Sequence, residues 1–210
     1  MLKTDYTLYL VTDRSFLRGR SLLDEVLKAV RGGVTMVQLR EKEAGGREFY
    51  QLALGLKEAL RESGVPLIIN DRLDMAMAVD ADGLHIGQED LPLPEVVRLW
   101  GKDKIIGLSV SSLGEACQGQ KDGASYLGWG PVYATATKAD ALHPTGLALL
   151  REVKNRVSIP VVAIGGIDLS NLAAVRDSGA DGAAVVSCLM DAPDIEKAAR
   201  KMVELWKNPW

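Results

Sequence analysis

Short runs of Val, Ile and Leu recur along the whole chain, separated by stretches in which apolar residues return every three or four positions. The runs cover Thr7 to Thr12, Thr35 to Leu39, Pro66 to Asn70, Gly83 to Gly87, Lys104 to Ser109, Ser125 to Trp129, Pro160 to Ile164 and Gly182 to Val186. Near-continuous apolar runs of this length predict strands buried on both faces, and the longer periodic stretches predict amphipathic helices. The helices are expected over Ser21 to Gly32, Gly46 to Ser63, Arg72 to Val79, Pro92 to Trp100, Ser112 to Asp122, Gly146 to Val157, Asp168 to Ser178 and Asp191 to Trp206. Gly33, Gly64 and Gly179 stand where helices should stop, and polar residues or Pro stand where several should start.

Eight strands alternating with eight helices in 210 residues predict a single α/β domain over residues 1–210, folded as a (β/α)8 TIM barrel. A doubly wound open sheet is the competing architecture. The phrases Gly32-Gly33-Val34, Ala81-Asp82-Gly83, Asp122-Gly123-Ala124 and Gly179-Ala180-Asp181-Gly182 all precede strands. Their shared form reads as the repeated turn of a closed array rather than as a nucleotide loop.

Composition narrows the functional classes. A net charge of −3 gives no basic excess for nucleic acid, and no segment approaches the roughly 18 unbroken apolar residues of a membrane span. The start, Met1-Leu2-Lys3-Thr4-Asp5, has no apolar targeting core, so a cytoplasmic location is expected. Cys117 and Cys188 are far apart and lack the spacing of a disulfide framework or zinc site. Trp206 and Trp210 read as anchors of the last helix, and the oligomeric state is left open.

In a barrel the chemistry belongs to the loops that follow the strands. After the second run come Gln38-Leu39-Arg40-Glu41-Lys42, in which Gln38, Arg40 and Lys42 alternate; if the strand continued, two cations and an amide would face one small volume. That is a receptor for a polar anion, against the plainer reading of a frayed strand with its charges paired to neighbours. After the third and fourth runs come Asn70-Asp71 and Gly87-Gln88-Glu89-Asp90. Asp71 and Asp90 are the metal candidates, because Mg2+ commonly takes one or two protein carboxylates and completes its shell with water and phosphate oxygens. Taken singly, Asp71 would cap the next helix and Asp90 would start a turn before Pro92. After the sixth run, Thr135-Ala136-Thr137-Lys138 offers hydroxyls and a movable ammonium. Gly165-Gly166 and Val186-Ser187 follow the last two runs, where backbone N–H groups at helix starts can hold a phosphate. Two anion sites of different construction predict two phosphorylated small-molecule substrates.

These motifs, in this order, resemble thiamine-phosphate synthase from Leu8 to about Leu189. The resemblance implies a transferase that joins 4-amino-5-hydroxymethyl-2-methylpyrimidine diphosphate to 4-methyl-5-(2-phosphoethyl)thiazole, or to its carboxylated form, giving thiamine phosphate and diphosphate. It implies that the pyrimidine diphosphate is bound by Gln38, Leu39, Arg40, Glu41, Lys42, Asn70, Ser109 and Lys138, with Arg40, Lys42 and Lys138 acting on the leaving group. It assigns the thiazole phosphate to Thr135, Ala136, Thr137, Gly166, Val186 and Ser187, and Mg2+ to Asp71 and Asp90. The thiazole nitrogen attacks with a neutral lone pair and loses no proton, so the bond-forming step requires no general base. The barrier lies in expelling diphosphate from the pyrimidine methylene carbon.

Two residues depart from the family pattern. Ala134 stands where a Pro often precedes the loop's first Thr, and Ser111 stands where many relatives carry His. The related thiazole tautomerases use a His in that segment, so the competing enzyme reading lacks its acid-base residue here. A third reading, a non-catalytic sensor of thiamine precursors, does not require the full set Arg40, Lys42, Asp71, Asp90 and Lys138. Of the two imidazoles, His85 is expected to be a packed, hydrogen-bonded residue of the fourth strand, and His143 has no assigned role. Gln88 and Glu89 are expected to be solvated or to touch metal-bound water.

Overall fold

A computed structural model describes residues 4–135 and 143–208. Eight parallel strands close on themselves in sequence order, with β1 paired to both β2 and β8. The strands are β1 (Leu8–Val11), β2 (Met36–Leu39), β3 (Leu67–Asn70), β4 (Gly83–Ile86), β5 (Ile105–Val110), β6 (Tyr126–Trp129), β7 (Val161–Ile164) and β8 (Gly182–Val185). Each lies within a residue or two of its predicted run. The closed ring excludes the open doubly wound sheet.

Around the barrel lie α1 (Leu22–Arg31), α2 (Gly46–Leu60), α3 (Leu73–Ala78), α4 (Leu93–Trp100), α5 (Leu113–Lys121), α6 (Gly146–Arg156), α7 (Leu172–Asp177), α8 (Ser187–Met190) and α9 (Ile195–Lys207). Helix α1 shows how the sequence sets these bounds. Ser21 caps its start by accepting from the Asp24 N–H, its stripe of Leu22, Val26 and Ala29 is buried, and Gly33 ends it at φ 106°. Gly64 and Gly179, the other predicted stops, also have positive φ. The predicted eighth helix starts late: Asp191 lies in a turn and α9 begins after the Asp194 cap, while a separate four-residue α8 precedes the predicted range and opens at Ser187. The predicted seventh helix loses its first turn: the Asp168 side chain accepts from the Ser170 N–H and hydroxyl in a local turn, and the regular helix begins at Leu172.

Alternation along the strands divides the core in two. Leu8, Leu10, Val37, Leu39, Leu67, Ile69, Leu84, Ile106, Leu127 and Val161 point outward and pack under the helices. Tyr9, Val11, Met36, Ile68, Tyr126, Val162 and Ala184 point inward and fill the barrel. The inner cluster is not purely apolar, because Gln38 and His85 are buried within the same space.

Candidate active site

Strand β2 ends at Leu39, so the predicted alternation through Lys42 is not carried by a strand. It does turn Gln38 into the barrel, where its Nε2 donates to Tyr9 Oη at 2.7 Å. Arg40 follows at the rim, its backbone N–H bonded to Thr12 Oγ1 at 3.2 Å and its guanidinium 4.0 Å from Asp13. Lys42 is exposed and lies close enough to Asp71 for its charge to act on that carboxylate. The two other residues of the motif face elsewhere. Leu39 is fully buried in the outer core, and the Glu41 carboxylate sits 2.8 Å from Arg14 Nε, near in distance but not aligned as a hydrogen bond. The geometry leaves their backbone groups, rather than their side chains, for any contact at the mouth.

Asp71 adopts φ 61°, a left-handed conformation that Asp tolerates better than most residues, and its N–H donates to the β4 carbonyl of His85 at 2.8 Å. The expected alternative use of its carboxylate is absent, because the α3 N-cap is Arg72 and receives no side-chain cap bond. Instead the Asp71 carboxyl is hydrogen-bonded to Asp90. Desolvation by the rim, then the Asp90 charge and that hydrogen bond, push the Asp71 pKa up to about 6, while Asn70 and Lys42 pull it down. Asp90 also accepts from the Gly87 N–H at 2.7 Å, so it closes the turn that begins at Gly87 rather than starting the one expected before Pro92, and this bond holds it at the mouth. Among the described residues no group of three or more His, Cys, Asp and Glu side chains stands together. The rim therefore offers two carboxylates and their neighbouring amide Asn70, a set that suits a hard oxygen-seeking cation that keeps several of its waters. Two carboxyls bonded to each other call for either a shared proton or a cation.

Inside the mouth a line of buried polar groups crosses the barrel. Tyr9 Oη lies 2.9 Å from Tyr126 Oη, Tyr126 Oη lies 2.8 Å from His85 Nδ1, and His85 Nε2 lies 2.8 Å from Ser109 Oγ. Burial holds His85 neutral, with its pKa pushed down to about 4, and raises both tyrosines. Room for these rings comes from two residues without side chains, Gly107 on β5 and Gly128 on β6. A Cβ on Gly107 would run into the Tyr126 ring, and one on Gly128 would stand 2.9 Å from His85 Cε1. Tyr9 and Tyr126 were missed by the sequence reading; the signal available was a polar aromatic at an inward position of a strand, beside strands that carry Gly at theirs. His85 is the packed, hydrogen-bonded residue expected. Ser109 stays exposed at the mouth while Gln88 donates to its carbonyl at 2.6 Å.

On the opposite side the loops after β6 and β7 interlock. Val132 N–H donates to Ile164 O at 2.9 Å and Tyr133 N–H to Gly165 O at 3.1 Å. Gly165 and Gly166 have φ 101° and 63°, and a Cβ on Gly166 would lie 2.5 Å from Ala134 O, so both the conformation and the space require glycine. Asn171 donates to Gly166 O at 2.8 Å, fixing that turn. Val186 is the N-cap of α8 and Ser187 its first, exposed residue. Thr135 ends the first described segment, and the expected ligands Ala136, Thr137 and Lys138 lie outside the described residues.

The segment that separates the synthase reading from the tautomerase one is Ser109-Val110-Ser111. Ser111 is engaged with the start of α5, donating from its N–H and hydroxyl to Glu115 Oε2 at 2.7 and 3.3 Å. Its hydroxyl thus serves the helix terminus.

Fold and site together define a (β/α)8 enzyme whose strand-end loops gather cations and carboxylates at one side of the mouth and a glycine turn at the other. Residues 8–189 match the family model for thiamine monophosphate synthase, and the chain belongs to that family. It is 62% identical to thiamine-phosphate synthase of Syntrophomonas wolfei subsp. wolfei, over 99% of this chain and 100% of that relative. It is 53% identical to the enzyme of the same description from Desulfitobacterium hafniense strain Y51, with the same coverage. The solved structure of thiamine phosphate pyrophosphorylase from Pyrococcus furiosus superposes with a TM-score of 0.91 at 40% identity, covering 99% of this chain and 98% of that one.

Proposed function

We propose that this enzyme joins 4-amino-5-hydroxymethyl-2-methylpyrimidine diphosphate to 4-methyl-5-(2-phosphoethyl)thiazole, or to its carboxylated form, releasing diphosphate. The observation that carries the reading is the grouping of Lys42, Asn70, Asp71 and Asp90 beside Arg40 at the ends of β2, β3 and β4. Membership of the family supports it.

Asp71 and Asp90 would hold Mg2+, which when bound supplies positive charge to the diphosphate oxygens. Arg40 and Lys42 bind the same diphosphate and stabilise the charge that grows on it as the carbon–oxygen bond breaks, a preorganised electrostatic contribution. Lys138 would add a third cation. Gln38 and Ser109 orient the pyrimidine above the inner core, and the thiazole phosphate rests on the Gly166 turn and the start at Ser187, with Thr135 and Thr137 beside it. The nitrogen nucleophile has no proton to lose, which accords with a buried, neutral His85 that lies below the mouth and works as no base.

Incubating the purified protein with both substrates and Mg2+, then measuring diphosphate and thiamine phosphate, tests this directly. Absence of product would sink it. Interconversion of thiazole tautomers would instead mark a tautomerase, and thiazole binding without turnover would mark a sensor.

A further inference from the structure

The line Gln38, Tyr9, Tyr126, His85 and Ser109 has a direction that follows from counting protons. Gln38 Nε2 can only donate, so Tyr9 Oη accepts from it. The single Tyr9 proton then has Tyr126 Oη as its acceptor, and the single Tyr126 proton has His85 Nδ1. A neutral imidazole whose Nδ1 accepts carries its proton on Nε2, which donates to Ser109 Oγ. Every contact has one donor and one acceptor. With the reverse order Tyr9 Oη would accept twice and its own proton would be left without an acceptor in this row, a costly outcome for a fully buried hydroxyl. Beyond the row's own bonds, the Gln38 amide keeps its carbonyl oxygen, an acceptor, and its second Nε2–H, and Ser109 keeps its hydroxyl hydrogen, a donor.

We propose that Tyr9, Tyr126 and His85 are positioning residues that fix this polarity, so that the mouth presents one set acceptor and one set donor to a nitrogen heterocycle. The ring chosen is one that pairs an exocyclic amine, donating to Gln38, with a ring nitrogen accepting from Ser109. This rests on the reading that Gln38 and Ser109 meet the aminopyrimidine, and it assigns discrimination of the amine to residues buried below the site. Gly107 and Gly128 are part of the device, since side chains there would displace Tyr126 and His85. Without the row, the amide and the hydroxyl would each turn to suit either kind of ligand.

The direction is read on the wild-type protein by 15N NMR of labelled histidine at pH 8. The chain has two histidines, so a His143→Gln sample assigns the signals. A protonated Nε2 and bare Nδ1 at His85 are expected; the opposite tautomer overturns the proposal. Selectivity is read by calorimetric binding of the pyrimidine diphosphate and of its analogue lacking the 4-amino group, without the second substrate. Wild type should prefer the amine by about tenfold, the worth of one well-made hydrogen bond. Tyr126→Phe keeps the ring and removes the link, and should bring that preference close to one, chiefly by weakening binding of the aminopyrimidine. Tyr9→Phe should do likewise, and the double variant should lose no more than either single one, since each cuts the same row. A preference that survives in both single variants, or an equal loss for both ligands, overturns the proposal. Failure of wild type to form product counts against the catalytic reading alone, because neither readout here depends on turnover.

Discussion

Asp71→Asn tests the carboxylate pair from the side of stability as well as catalysis. Asn keeps the shape of the side chain and tolerates the φ of 61°. In the metal-free protein Asp71 has its pKa raised from 3.8 to about 6. A carboxyl raised on folding contributes stability that is fully present below its unfolded value and is lost as pH rises through the folded one. Wild type should therefore lose stability between about pH 4 and pH 6 through this residue, and sit at its disadvantage above pH 7. At about 1.4 kcal/mol for each pH unit the whole effect would reach about 3 kcal/mol, but Asp71 is exposed at the rim and solvent screens it, leaving about 1 kcal/mol. In a chain of 210 residues that is about 2 °C in Tm. The metal-free variant should thus melt about 2 °C above wild type at pH 8 and level with it at pH 4. Adding Mg2+ should reverse the order at pH 8, because wild type gains from the ion and the variant has lost one of its two ligands. Scanning calorimetry with EDTA and with Mg2+ gives all of these values. A metal-free variant that melts at or below wild type at both pH values would refute the repulsion argument, and an unchanged response to Mg2+ would remove Asp71 from the ion's site.

The other expectations concern separate parts of the barrel. Arg40→Ala should raise the KM for the pyrimidine diphosphate by about tenfold or more, the usual loss for a charge-assisted contact, with the KM for the thiazole phosphate held; equal changes in both would deny the division of the mouth. Gly166→Ala places a methyl 2.5 Å from Ala134 O at positive φ and should cost about 1 to 3 kcal/mol in urea unfolding while weakening thiazole phosphate binding. Unchanged binding with normal folding would remove the Gly166 turn from the phosphate site. Gly107→Ala should destabilise by a similar amount, about 1 to 3 kcal/mol, since the new methyl meets the buried Tyr126 ring; an unaltered melting curve would show that the inner core has slack there.

The βα alternation was legible because each strand is buried on both faces and each helix on one, so hydrophobic pattern alone separates them. Boundaries moved where side chains compete with backbone, as at Asp168, or where an element is too short to show a period, as at Ser187–Met190. The candidate site was legible where a motif sits directly after a strand: Asn70, Asp71 and Asp90 do meet. Alternation placed Gln38 correctly but could not be extended to Lys42, because β2 stops at Leu39. The link from Tyr9 to Tyr126 spans 117 positions and depends on the stagger of a closed sheet, which no local pattern contains.

The empty inward positions at Gly107 and Gly128 have a bearing on transplantation. A designer moving this mouth to another barrel would copy the rim residues and leave the receiving interior as found. Strands β5 and β6 of the recipient would then carry ordinary branched residues at those two places, and the tyrosine and histidine would have to tilt or unpair. The rim would be complete and yet poorly aimed. What must travel with the binding groups is a pair of voids, specified by residues that touch no substrate at all.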